Sequence, residues 1–63
     1  MKQQQQPIRD RFERYLGETG ARYTVIGKNL DIPFYILGKF RRGMDIWDNQ
    51  VERLSDWLEK QNY

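Results

Sequence analysis

Cysteine and histidine are both absent from the 63 residues. Without cysteine no disulfide staples the fold, and without either residue soft zinc ligation is ruled out. The usual covalent nucleophile and the usual general base go with them. No apolar run approaches the ~18 residues of a membrane-spanning helix, and no secretory pattern opens the chain. These absences predict a soluble, cytoplasmic protein with no membrane partner. A chain this short buries only about 60% of the surface its unfolded form exposes, so its core supplies roughly 3–5 kcal/mol at most. It has to fold as one domain on apolar packing alone, and helices manage that best at this size.

What is present is unevenly arranged. Net charge is +2, yet residues 1–43 carry nine Lys/Arg against four Asp/Glu, a balance of +5. Residues 44–63 carry two against five, a balance of −3. A basic body followed by an acidic last segment points to one face for an anion and another for something else.

Residues 1–6, MKQQQQ, offer nothing to bury and read as a flexible arm ahead of a single domain over 7–63. Pro7 suits the first turn of a helix, where its missing N–H is no loss. From there Ile8, Phe12, Tyr15 and Leu16 recur on one helical stripe, and Gly17 and Gly20 bracket its end. Arg9, Arg11 and Arg14 lie off that stripe and read as a solvated face. Ile26 and Leu30, then Leu37 and Phe40, fit two short helices separated at Asp31–Ile32–Pro33, because Pro33 disfavours the α region for Ile32. Gly43 closes the second of them. Trp47, Val51, Leu54 and Leu58 form the stripe of a last helix, with Trp57 beside it and Asp45 or Asp48 placing negative charge at its start. YTVIG is β-branched but too short and unpaired to be a strand. The expected fold is all-α, a compact domain of four helices.

The stretch NLDIPFYILGKFRRG puts two aromatics, Phe34 and Tyr35, at the head of a short helix that ends in Lys39, Arg41 and Arg42. A buried helix does not end in a basic cluster, and a purely solvated one does not begin with two aromatics. Read from Tyr23 to Gly43, the chain resembles the helix-turn-helix of the phage repressor and Cro family, ungapped over 21 residues. The family pattern of an apolar, a small and an apolar residue on the first helix is met by Ile26, Gly27 and Leu30. Its turn and the apolar residue after it are met by Asp31 and Ile32. The apolar pair on the second helix is Leu37 and Phe40, and Gly43 closes the unit. Three positions depart from the pattern: Asp31 stands where glycine is usual, Arg22 stands near the place of a Ser/Thr cap, and aromatics open the second helix where polar residues are usual.

The resemblance implies a lambda repressor-like fold and a sequence-specific regulator of transcription that binds double-stranded DNA with its third helix in the major groove. Carried over residue by residue, it places Phe34, Tyr35 and Lys39 against base edges, with Tyr23, Thr24, Arg41 and Arg42 on phosphates. Lysine donates to guanine O6 and N7, and an aromatic ring packs on the thymine methyl. Gly38 has no side chain to hold the helix off the duplex. Phe34 has core packing as its alternative, and Tyr23 has packing on the first helix. Gly27 is expected to accept alanine and to refuse leucine. So small a domain implies a homodimer on a palindromic operator, with Trp57 and Tyr63 as candidate dimer contacts and the core as the alternative for Trp57. No cofactor, metal or catalysis is expected, since the carboxylates are scattered and Asp45 and Asp48 read as capping charges. The rival reading keeps the fold and makes Phe34 and Tyr35 a hot spot for a protein partner, as in a phage-encoded inhibitor of a host factor.

Overall fold

The structure, a computed structural model, describes residues 5–63. Four helices follow in chain order: α1 (Gln6–Thr19), α2 (Tyr23–Leu30), α3 (Phe34–Arg41) and α4 (Asp48–Lys60). No strand occurs among the described residues, and the all-α, four-helix expectation holds. No helix is long and apolar enough to cross a membrane among the described residues.

Each helix forms where its apolar period meets a stop. In α1, Pro7 stands in the first turn and Ile8, Phe12 and Leu16 are buried. It ends at Gly20, whose φ of 68° returns its N–H to the Leu16 carbonyl at 2.9 Å, the left-handed cap that glycine adopts without strain. α2 stops at Asp31, also left-handed with φ 56°; aspartate tolerates that conformation better than most side chains. The chain then turns tightly. Ile32 donates its N–H to the Gly27 carbonyl at 2.9 Å and buries its side chain, and Pro33 starts the next helix in a new direction.

The core is one cluster: Ile8, Phe12 and Leu16 from α1, Ile26 and Leu30 from α2, Ile32 from the turn, Leu37 and Phe40 from α3, and Val51, Leu54 and Leu58 from α4. Phe12 sits at its centre, with its ring 6.0 Å from Phe40 and 6.2 Å from Tyr23. Gly27 is buried where α2 meets the turn. A Cβ built there falls closer than 3.0 Å to the Ile32 carbonyl oxygen, a backbone atom with no freedom to swing away. The expectation that alanine fits at this position is therefore corrected.

Four further expectations are corrected by the packing. Trp47 is not part of the last apolar stripe: α4 begins after it, its backbone is extended, and it is 75% exposed. Arg9 is not on a solvated face but 6% exposed. It donates to the carbonyls of Phe40 and Met44, to Gln6 Oε1 and to Asp45 Oδ1, with its guanidinium 4.7 Å from the Phe40 ring centre. Arg11 is likewise engaged, donating to the Tyr63 carbonyl at 2.8 Å and to Ser55 Oγ at 3.1 Å. The arm expected over 1–6 does not include Gln5 and Gln6: Gln6 opens α1 and Gln5 is buried, while residues 1–4 lie outside the described residues. The Gln5 amide pairs with the backbone of Ile46 both ways, donating to its carbonyl at 2.8 Å and accepting its N–H at 2.9 Å.

Trp57 and Tyr63 are taken up within the chain. Both meet Tyr15 edge-on, with ring centres at 4.9 and 5.1 Å. The Tyr63 hydroxyl donates to Glu18 at 2.8 Å. That bond, with the Arg14 guanidinium beside it, holds the Glu18 carboxyl below its ordinary range, and the bond to Glu18 pushes the Tyr63 phenol up. Aromatic edges, the Tyr63–Glu18 hydrogen bond and the Arg11 bond to the Tyr63 carbonyl thus close the C-terminal turn onto α1.

Candidate nucleic-acid interface

The residues of α3 divide cleanly by helical position. Leu37 and Phe40 are buried, which leaves Tyr35, Lys39 and Arg42 on the opposite, exposed face with half-buried Gly38 between them. Tyr35 is 55% exposed, and the Lys39 ammonium lies 5.9 Å from its ring centre. Arg42 folds back over the helix, its Nε donating to the Gly38 carbonyl at 3.2 Å. A Cβ at Gly38 would meet nothing closer than the Arg42 guanidinium at 3.7 Å. Gly38 is open to a side chain in a way that Gly27 is not.

One flank of this face is built by α2. Phe34 is 57% exposed and meets Tyr35 edge-on at 6.0 Å, so it is not core. It borders grooves shared with Thr24 and Lys28 on one side and with Arg22, Tyr23 and Arg41 on the other. Tyr23 packs its ring on Phe12 of α1, while its hydroxyl accepts from Arg41 Nη1 at 3.1 Å. That bond holds the Arg41 guanidinium beside the start of α2 and raises its pKa further. Thr24 is exposed in the same turn, without a cap bond of its own. The structure therefore brings Phe34, Tyr35, Lys39 and Arg42 to one side of α3, with Tyr23, Thr24 and Arg41 along the edge toward α2.

No family model, curated protein or solved structure matches the chain.

The other flank is the loop from Arg42 to Trp47, and its position is set from α1. Phe40 and Met44 give their carbonyls to Arg9, and Ile46 gives both backbone groups to Gln5. The Arg9–Asp45 pair at 3.2 Å fixes the loop between these points. Asp45 is thus not a cap for α4; Asp48 occupies the first turn, where a carboxylate favours the helix dipole. Buried hydrogen bonds of this kind are costly to lose, because each orphaned group keeps its desolvation penalty.

Several residues of this region were not assigned to a site by sequence. Arg22 and Lys28 are exposed cations beside Phe34. Their signal was the charge excess of residues 1–43, which does not say which cations share a face. Met44 and Trp47, both exposed, line a groove with Ile36 and Lys39. Apolar periodicity places such residues inside by default, and no pattern in the sequence marks them as surface. Among the described residues no cluster of His, Cys, Asp and Glu is placed to hold a metal ion.

Proposed function

We propose that the chain is a sequence-specific double-stranded DNA-binding regulator of the phage repressor and Cro kind, with α3 entering the major groove. The observation that carries this reading is the exposed face of α3, where Tyr35 and Lys39 stand together over the first two turns with Arg42 behind them. Arg22, Lys28 and Arg41 add cations along the α2 flank of that face, and phosphate neutralisation by such side chains supplies most non-specific affinity. Over Tyr23–Gly43 the chain resembles the family's helix-turn-helix, and a tight turn at Asp31–Ile32 joins α2 to α3.

In this docking the exposed side of α3 from Phe34 to Lys39 reaches base edges and the residues that end the helix stay near the backbone. Lys39 then donates to guanine O6 and N7, and Phe34 and Tyr35 pack on thymine methyls. Arg41, Arg42, Tyr23 and Thr24 serve phosphates, which set position rather than sequence. Lys39→Ala is expected to relax preference at one base pair at a cost of about 1–3 kcal/mol. Arg42→Ala should weaken all duplexes alike and flatten the salt slope by about one unit. Binding isotherms on a selected site and on random duplex, each over a salt series, separate the two. Equal losses on both DNAs for Lys39→Ala contradict its base-reading role.

A protein partner is the second reading, favoured by the exposure of two adjacent aromatics. The Phe34→Ala/Tyr35→Ala double variant divides the two. Because both rings are more than half exposed, its melting temperature should stay close to that of the wild type. On the DNA reading it loses discrimination for thymine-containing half-sites and keeps salt-sensitive binding to random duplex. Wild-type operator affinity in the double variant would leave the protein-partner reading standing.

A further inference from the structure

α3 opens on Phe34 and Tyr35, where the helix-turn-helix pattern that it resembles carries polar side chains. In a duplex the bases show a protein only their edges, which polar groups hydrogen-bond and which offer a ring no more than a thymine methyl. The flat face of an aromatic ring is better matched by a base that has left the duplex, because every base has a π-face to stack on. Phe34 and Tyr35 are both more than half exposed, with ring centres 6.0 Å apart and planes at 83°, so a base stacked on one meets the other edge-on. Lys39 continues the row: its ammonium lies 5.9 Å from the Tyr35 ring centre, and its side chain lines a groove together with Trp47. Trp47 is the most exposed large apolar side chain among the described residues. We infer that Trp47, Lys39, Tyr35 and Phe34 form a binding strip for single-stranded nucleic acid, in which bases stack on Trp47 and on the Phe34–Tyr35 pair and Lys39 between them holds a phosphate.

The charge on this side favours a single strand over a protein partner. α3 contains Lys39 and Arg41 but no carboxylate, Arg42 follows it, and Arg22 and Lys28 stand along the α2 flank. The carboxylates nearby lie at the margins: Asp31 closes α2, Asp45 is paired with Arg9 at 3.2 Å, and Asp48 stands in the first turn of α4. Lys39 is exposed inside the row. A protein that covered the rings would have to desolvate that ammonium, whereas a strand brings a phosphate to it. The strip is also preformed at its Trp47 end, because Gln5 and Arg9 hold the backbone of Ile46 and Met44, and binding there costs little ordering. About two or three stacked bases make a short site. Binding is therefore expected to be micromolar, steeply salt-dependent and tolerant of sequence.

The inference goes beyond the duplex reading and does not rest on it. Its test is fluorescence anisotropy of labelled oligo-thymidine and oligo-uridine strands, each about ten nucleotides long, titrated with the full chain at low salt. Both strands are expected to bind, since neither stacking nor phosphate attraction reads the 2′-hydroxyl; tighter binding of one assigns the strip to DNA or to RNA. Trp47→Leu and Tyr35→Leu should each weaken binding about tenfold, equivalent to about 1.4 kcal/mol. Trp47→Phe and Tyr35→Phe, which keep a ring, should retain most of it. Both positions are exposed, so helical circular dichroism should be retained in every variant. In the wild type the indole N–H resonance of Trp47 should shift on titration, and that of Trp57, packed against Tyr15, should not. Absence of binding to either strand overturns the inference, as does wild-type affinity in Trp47→Leu or a shift at Trp57 alone. Duplex binding without single-strand binding overturns it and leaves the duplex reading standing. Single-strand binding without duplex binding supports it and counts against the duplex reading alone.

Discussion

Gly27→Ala should lower the melting temperature sharply, although it adds only one methyl to a helix. Alanine is the better helix former by nearly 1 kcal/mol, and on propensity alone the variant gains. The crossing reverses the sign. The added Cβ falls inside 3.0 Å of the Ile32 carbonyl oxygen, with the Phe34 nitrogen at 3.5 Å behind it. Neither atom is the end of a flexible side chain. Relief requires α3 and the turn to move away from α2, which opens the packing of Ile26, Ile32 and Leu37. Overpacking of this kind costs about 1–3 kcal/mol, against a total stability of roughly 3–5 kcal/mol for a domain of this size. Thermal melts by circular dichroism should show a large fall in melting temperature for Gly27→Ala. Gly38→Ala, a glycine of the same pair of helices with only ordinary contacts around its Cβ, should hold or gain stability. Equal melting temperatures for the two variants would mean that α2 and the turn do not meet as described.

The contrast between these glycines marks the limit of what was legible. That a small residue belongs at position 27 follows from the helix-turn-helix resemblance. Whether alanine is small enough depends on where the Ile32 carbonyl lies, and that is decided by the left-handed backbone of Asp31 and by the Ile32 N–H bond to Gly27. No side-chain pattern encodes it. The apolar stripes Ile8–Phe12–Leu16 and Val51–Leu54–Leu58 were legible, because burial of one face repeats with the helical period. Trp47 was misread for the same reason. It lies four residues before Val51, but the helix begins at Asp48, and beyond a helix terminus the period no longer says which way a residue points. The exposed face of α3 was legible once Leu37 and Phe40 were assigned inward. Its flanks were not: Arg22 and Lys28 border it through packing of α2 on α3, and Met44 and Trp47 through a loop whose path is dictated from α1. Phe34 was open between core and surface, and the structure decides for surface.

Arg9→Ala should be the most damaging arginine substitution on α1. A pattern of polar and apolar residues classes Arg9 as surface, yet its stem lies along the core and its head reaches the end of α3. It satisfies the Phe40 and Met44 carbonyls and one Asp45 oxygen, residues more than thirty positions away in sequence. Removing it leaves those acceptors without their donor and strips a cation from the face of the Phe40 ring. Breaking a buried charged network by deleting one partner costs about 3–5 kcal/mol; Asp45 is 56% exposed and recovers part of its share from water, so about 3 kcal/mol is expected. Arg9→Lys should restore only a fraction, because a single ammonium cannot span carbonyls that the planar guanidinium bridges together. Arg14→Ala is the comparator: the Arg14–Glu18 pair at 3.0 Å is exposed on both sides, and such solvated pairs contribute little. Chemical denaturation should rank the three variants Arg9→Ala, Arg9→Lys, Arg14→Ala from most to least destabilised. Hydrogen exchange at the Ile46 amide supplies the local readout, since its protection by Gln5 depends on the same loop position. In Arg9→Lys, where folding persists, that amide should exchange faster while the amides of Val51 and Leu54 in α4 keep their protection. Equal stability of Arg9→Ala and Arg14→Ala would show that the loop between α3 and α4 is held by apolar packing and not by the guanidinium.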